Sequence, residues 1–130
     1  MIELYLDRRC GTNPYLQIVE QVKSALRLGI LQVGDRLPTI KEIAGKLTVN
    51  PNTVLRAYRE LDAEGLIETK PGIGSFVTRS LAGPALTQHP GLRTALLDWL
   101  AKARQAVLDE ESMLALFDAT RREGLVSAAR

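Results

Sequence analysis

Apolar and polar positions alternate with two different periods along this chain. Tyr15, Ile18, Val19, Val22, Ala25 and Leu26 recur at helical spacing. Asn13 stands as the cap before them, and Pro14 takes the first helical position, where its missing N–H costs nothing. Gly29 supplies the stop. After a turn at Gly34-Asp35 and the break at Pro38, Thr39 and Glu42 form a capping box. They open a helix of about two turns whose buried side is Ile43, Ala44 and Leu47. Thr48 and Val49 bridge to a third helix with Asn50 as cap and Pro51 at its first position. Val54, Ala57, Tyr58 and Leu61 form its inward stripe at i, i+3, i+4 and i+7, so Asn52, Arg56 and Arg59 project from the other side. Gly65 ends it.

The shorter period appears in two places. Residues 2–6, IELYL, read as a short strand. Two β-prone runs, Leu66 to Thr69 and Ser75 to Thr78, flank Lys70-Pro71-Gly72-Ile73-Gly74 and predict a hairpin with a glycine-rich tip. Residues 80–90 hold two prolines and no periodicity, and read as a linker. Beyond it, Leu92, Leu96, Trp99 and Ala103 repeat with spacings of four, three and four, a helix with a narrow apolar seam. Leu100 and Val107 widen that seam. Asp109 caps a last helix with Met113, Leu116, Phe117 and Thr120 inside, and the tail after Gly124 is expected to fray.

The order in the middle is helix, short helix, three-residue turn, helix, hairpin. That order suits a winged helix-turn-helix, whose second helix of the pair enters a DNA major groove. The predicted fold class is therefore α+β: a winged helix-turn-helix DNA-binding domain over residues 12–79, then a short two-helix C-terminal dimerisation tail. An N-terminal strand or arm occupies residues 1–11, the linker residues 80–90, and the tail residues 91–130.

Charge sharpens this picture. Residues 1–35 carry four basic and four acidic side chains, residues 81–130 six of each, and residues 36–80 seven basic against five acidic. The whole excess of +2 thus falls on the segment that holds the helix pair and hairpin, which points to a polyanion. A hydrophobic content of 45% with 25% charged residues is that of an ordinary globular protein, and no apolar run approaches the ~20 residues of a membrane span. The opening MIELYLDRRC does not read as a signal peptide, because acids interrupt it. Cytoplasmic residence is expected. The single cysteine, Cys10, allows neither an intrachain disulfide nor a cysteine metal site, and reads as a reduced thiol. The single histidine, His89, lies in the linker without a second ligand at metal spacing. Without a phosphate loop, nucleotide fingerprint or nucleophile elbow, the chain is not expected to be an enzyme, and neither metal nor cofactor is expected.

The leading end of the third helix is small, polar and neutral. Such an end lets a backbone approach DNA phosphates, and its N–H groups and positive dipole end favour an anion. Asn can read adenine through two hydrogen bonds, and Arg can read guanine or hold a phosphate.

The stretch GDRLPTIKEIAGKLTVNPNTVLRAYRELDAEGLIETKPGIGSFV resembles the winged-helix DNA-binding domain of the GntR family of bacterial transcription regulators. Pro14-Tyr15-Leu16-Gln17-Ile18 followed by Gly34-Asp35-Arg36-Leu37-Pro38 fits the opening of that domain, and VNPNTVLRAYRELDAEGLIE is similar to the YtrA-like subfamily. The resemblance implies that Lys41, where the family usually has Arg, grips phosphate. It implies that Asn50, Asn52 and Thr53 meet the DNA backbone and bases, with Arg56 on the same side. It sends Lys70 and Gly72 of the wing tip toward the minor groove. Arg59 joins the DNA-binding set from its outward position. Pro51 and Leu55 depart from the arginines of many members; the Pro is shared by the YtrA-like pattern, and Leu55 could meet a thymine methyl. The subfamily's short helical tail is matched by residues 91–123, and its members mostly repress, often at neighbouring transport genes.

The seam is more apolar surface than a small winged helix buries alone, so a two-fold dimer is expected on double-stranded DNA. Leu92, Leu96, Trp99, Leu100, Ala103, Met113 and Phe117 are its dimerisation residues. Half-sites would then lie about one helical turn apart. A small-molecule effector of unknown identity could bind between tail and DNA-binding domain. The competing reading is a winged-helix protein-interaction module without specific DNA binding.

Overall fold

The structure, a computed structural model, describes residues 2–9, 11–83 and 89–128. Cys10 and residues 84–88 of the expected linker lie outside them. The chain divides into two compact units, Met1–Pro84 and Ala85–Arg130.

In the first unit, α1 (Pro14–Arg27), α2 (Ile40–Leu47) and α3 (Pro51–Ala63) precede an antiparallel hairpin of β1 (Ile67–Lys70) and β2 (Gly74–Val77). α1 buries Ile18, Val19, Val22, Ala25 and Leu26, and α3 buries Val54, Ala57, Tyr58 and Leu61. These two stripes face each other, with Ile43 and Ala44 of α2 and with Leu31, Leu37, Leu66, Ile67 and Val77 closing the core. Each large side chain so buried stabilises the fold by about 1.5–3 kcal/mol before entropy is counted. The helix stripes and stops read from periodicity are therefore found, with Gly29 and Gly65 in the left-handed region just beyond α1 and α3.

Four details differ from the sequence expectation. Residues 2–6 form no strand. They have side-chain amides beside them in place of a strand partner. Gln21 accepts from the Tyr5 N–H at 3.0 Å and donates to the Tyr5 carbonyl at 2.7 Å. Gln17, itself buried, accepts from the Asp7 N–H at 2.9 Å and donates to the Asp7 and Thr12 carbonyls. Leu4, just before these anchored residues, is buried in the core. Second, the hairpin strands lie one residue off the expected runs: β1 starts one later, and β2 starts and ends one earlier. The Leu66 N–H is still bonded to Leu61 at the helix end, and Lys70 pairs with Gly74 across the tip. Third, the segment read as a turn at Gly34-Asp35 also runs along β2. The Gly34 N–H donates to Val77, the Val77 N–H to Asp35 and the Leu37 N–H to Ser75, all within 2.8–2.9 Å. Fourth, Asn13 holds the cap position of α1 but its side chain makes no capping hydrogen bond.

The second unit is a helical pair, α4 (Gly91–Gln105) and α5 (Glu110–Ala128). The Asp109 carboxylate caps α5 by accepting from the Ser112 N–H at 2.7 Å, and hydrogen bonding from the Ser112 side chain, with that N–H adding to it, holds its carboxyl below the usual range. Val107 does not widen the seam. It sits in the turn at φ 62° and is 89% exposed, because the chain must reverse there. α5 does not fray after Gly124 but continues to Ala128: Gly124 has no positive φ, and a glycine stops a helix only when it takes one.

Candidate nucleic-acid interface

Local sequence sets the geometry of the helix-turn-helix. Thr39 Oγ1 accepts from the Glu42 N–H at 3.1 Å and starts α2. α2 ends on Thr48, a non-glycine residue in the left-handed region at φ 54°. A β-branched residue there is disfavoured by roughly 1–2 kcal/mol. Arg8 offsets this cost. Its Nη2 donates to the carbonyls of Leu47 at 3.3 Å and Thr48 at 3.1 Å, and the Val49 N–H returns to Ala44. A guanidinium over the last carbonyls of a helix also complements their partial negative charge. Neither the left-handed Thr48 nor its clamp was visible in the sequence, because Arg8 is about 40 residues away along the chain.

Asn50 caps α3 through its side-chain oxygen, which accepts from the Asn52 N–H at 2.8 Å, while the Thr53 N–H donates to the Asn50 carbonyl at 2.9 Å. Pro51 has no N–H. The leading backbone donors expected to be free for an anion are thus already used. What faces outward is the dipole end and the side chains: the Asn50 amide nitrogen, Asn52 and the half-buried Thr53.

The remaining expected residues are spread over α2, α3 and the wing. Lys41 borders a cleft with Ala44, Gly45, Val49 and Pro51, at the junction of α2 with the start of α3. Arg59 lines a different cleft with Leu55, Asp62 and Thr69, on the side of α3 next to the wing. Arg56 is exposed but turns toward α1, where its Cζ lies 3.7 Å from the centroid of the Tyr15 ring. The sequence reading put Tyr15 among the inward positions and missed this partnership. In the wing, Lys70 Nζ lies 5.4 Å from the Phe76 ring, Gly72 takes φ 76°, and Thr69 and Ser75 hydroxyls bond across the strands at 3.0 Å. Arg36 crosses the hairpin next to Gly74, where a Cβ would come within 3.0 Å of its Nε.

The expected dimerisation residues divide within the helical pair. Ala103 is buried, Trp99, Leu100 and Met113 are half-buried, and Leu92, Leu96 and Phe117 remain exposed. Trp99 and Phe117 meet at a centroid distance of 6.5 Å. Leu116 and Thr120, expected inside, are exposed; a single helical partner covers only one side of α5.

A helix pair set at a tight left-handed turn, presenting the polar start of its second helix beside a two-stranded wing, is the winged helix-turn-helix class of DNA-binding domain. Residues 14–77 match the family profile of bacterial regulatory proteins of the gntR family. The HTH-type transcriptional repressor YtrA of Bacillus subtilis is 42% identical over 77 residues, 59% of this chain and 59% of that protein. The chain thus spans about three fifths of that relative. YhcF, an HTH-type transcriptional regulator of the same organism, is 33% identical over 100 residues, 77% of this chain and 83% of that one. The solved structure of YtrA from Sulfolobus acidocaldarius, a GntR-family transcription factor, superposes with a TM-score of 0.53 at 33% identity, covering 73% of this chain and 94% of the other. The chain belongs to the GntR family of transcriptional regulators, with YtrA-type relatives.

Proposed function

We propose that the protein is a sequence-specific repressor that binds double-stranded operator DNA as a two-fold homodimer, in the cytoplasm and without catalytic activity. One observation carries this reading. α3 keeps its apolar residues inward and turns a small, uncharged polar end outward at Asn50 and Asn52, with Lys41 at the junction beside it and the exposed cations Arg56 and Arg59 further along the same helix. An acidic or bulky end would hold a phosphate backbone away. In the proposed complex α3 enters the major groove. Asn50, Asn52 and Thr53 meet bases and backbone, and Lys41, Arg56 and Arg59 supply cations. Lys70 and Gly72 bring the wing to the minor groove. The exposed leucines of α4 and α5 support dimerisation, since 62% of Leu92 and 46% of Leu96 stay in water in a single chain. The repressor name of the Bacillus subtilis relative supports the direction of regulation.

Fluorescence anisotropy tests the reading, with DNA from the gene's upstream region against a scrambled duplex at two salt concentrations. A preference for the native duplex that weakens as salt rises is expected. A folded sample that binds neither duplex at low salt would replace DNA binding by a protein-interaction role.

A further inference from the structure

We propose that Arg56 holds a DNA phosphate and does not read a base, and that Tyr15 is the residue that positions it. The proposal rests on the DNA-binding reading above. Its basis is the placement of the Arg56 guanidinium over the Tyr15 ring, 3.7 Å from its centroid. Tyr15 is the second residue of α1, half-buried and packed against the core, so the ring is a fixed platform. Arg56 is in the second turn of α3. To reach a base edge its side chain would have to extend along the start of α3. In this conformation it reaches instead across to the first turn of α1, over the Tyr15 ring.

Further observations point to an anion there. No carboxylate lies within ion-pairing distance of Arg56 among the described residues, so no acidic side chain competes there for an anion. Besides the ring, the Arg56 guanidinium donates no hydrogen bond among the described residues, and its N–H groups are of the kind that grip phosphate oxygens in pairs. The start of α1 adds its positive dipole end, and the Asn13 side chain beside it is not spent on capping. An arginine already stacked on a ring gives up less side-chain freedom when it meets the phosphate.

The test uses the full chain and a salt series of anisotropy titrations. Its probes are the upstream duplex, the same duplex substituted one base pair at a time, and a random-sequence duplex. Tyr15→Leu removes the ring but keeps an apolar body. It should weaken every duplex by about two- to fivefold, the range of an exposed cation–π contact. Tyr15→Phe keeps the ring and should bind as the wild type does. Arg56→Ala should weaken all duplexes alike and reduce the salt slope by about one. In the Arg56→Ala background, Tyr15→Leu should cost nothing further. That coupling separates a positioning role from a general structural one, which would cost the same in both backgrounds. Equal losses in the two backgrounds would overturn the role of Tyr15. Relaxed preference at a single base pair in Arg56→Ala would assign Arg56 to a base and overturn the phosphate role. Either result would leave DNA binding standing. Failure of the wild type to bind any duplex at low salt would remove both readings together.

Discussion

Tyr58 shows how one side chain can serve the core and the backbone at once. It is buried on the inner stripe of α3, and its hydroxyl donates to the Pro38 carbonyl at 2.6 Å, just before the cap of α2. Burial, with the Glu42 carboxylate adding to it, pushes the phenol above its ordinary value of 10.0. The folded protein then keeps this proton where the unfolded chain loses it. The stability that depends on it is complete below pH 10 and falls as pH rises beyond, by at most about 1.4 kcal/mol per unit. Tyr58→Phe lacks this alkaline component, so its stability deficit relative to the wild type should shrink as pH rises above 10. At neutral pH it should cost about 1–2 kcal/mol, because the Pro38 carbonyl loses its partner. Urea titrations of both proteins between pH 7 and 11 check the two effects, and parallel curves would show that Tyr58 is not the titrating group. At this scale the inward stripe was legible from spacing alone, since burial follows the helical period. The phenol–carbonyl bond was not, because Pro38 and Tyr58 are 20 residues apart and nothing local marks the pair. The same holds for Arg56: its outward direction followed from the stripe, while its partner on another helix did not.

Among the elements, the turn between α2 and α3 and the wing carry the strain. Arg8→Ala should release the carbonyls of Leu47 and Thr48 and leave the left-handed Thr48 unsupported. The clamp is exposed, so the loss of stability should be modest, on the order of 1 kcal/mol. Faster amide hydrogen exchange at Val49 than at residues in mid-α3 would locate the loosening in the turn. Uniformly faster exchange would mean that Arg8 acts on the whole domain. In the wing, Gly74 holds φ 140° and has Arg36 against the position of a Cβ. Gly74→Ala should therefore destabilise by about 1 kcal/mol or more and disturb the hairpin pairing, with the three helices intact by circular dichroism. Helix caps and stops were readable in sequence because Asn-Pro, Thr-x-x-Glu and Gly act through the neighbouring backbone. Residues 2–6 misled because alternation predicts an extended chain, and extended chain becomes a strand only beside another. Here the neighbours are the amides of Gln17 and Gln21, which no strand pattern encodes.

For the whole molecule, the exposed apolar surface of the helical pair bears on how many chains make the working protein. The helical pair leaves Leu92, Leu96, Leu97, Leu114, Leu116 and Phe117 at 45–62% exposure. If these form the contact between two copies, light scattering at micromolar concentration should give twice the chain mass. Leu92→Ala with Leu96→Ala should move the protein toward monomer without unfolding α1–α3. A wild type that remains a monomer would leave the pair as an appendage with another purpose. This unit has the least specific sequence: its seam predicts helices but not which side stays open.

The arm at the start of the chain changes what counts as the DNA-binding domain. The family match begins at Pro14, but Leu4 lies in the core, Tyr5 and Asp7 are held by the glutamines of α1, and Arg8 fastens the turn before α3. The smallest piece able to stand alone is therefore larger than the shared pattern. A fragment trimmed to the matched boundary would open a hole where Leu4 sat, strand Gln17 in an apolar wall and free the turn that sets α3. Weak DNA binding by such a fragment would report on the missing arm and say little about the residues that touch DNA.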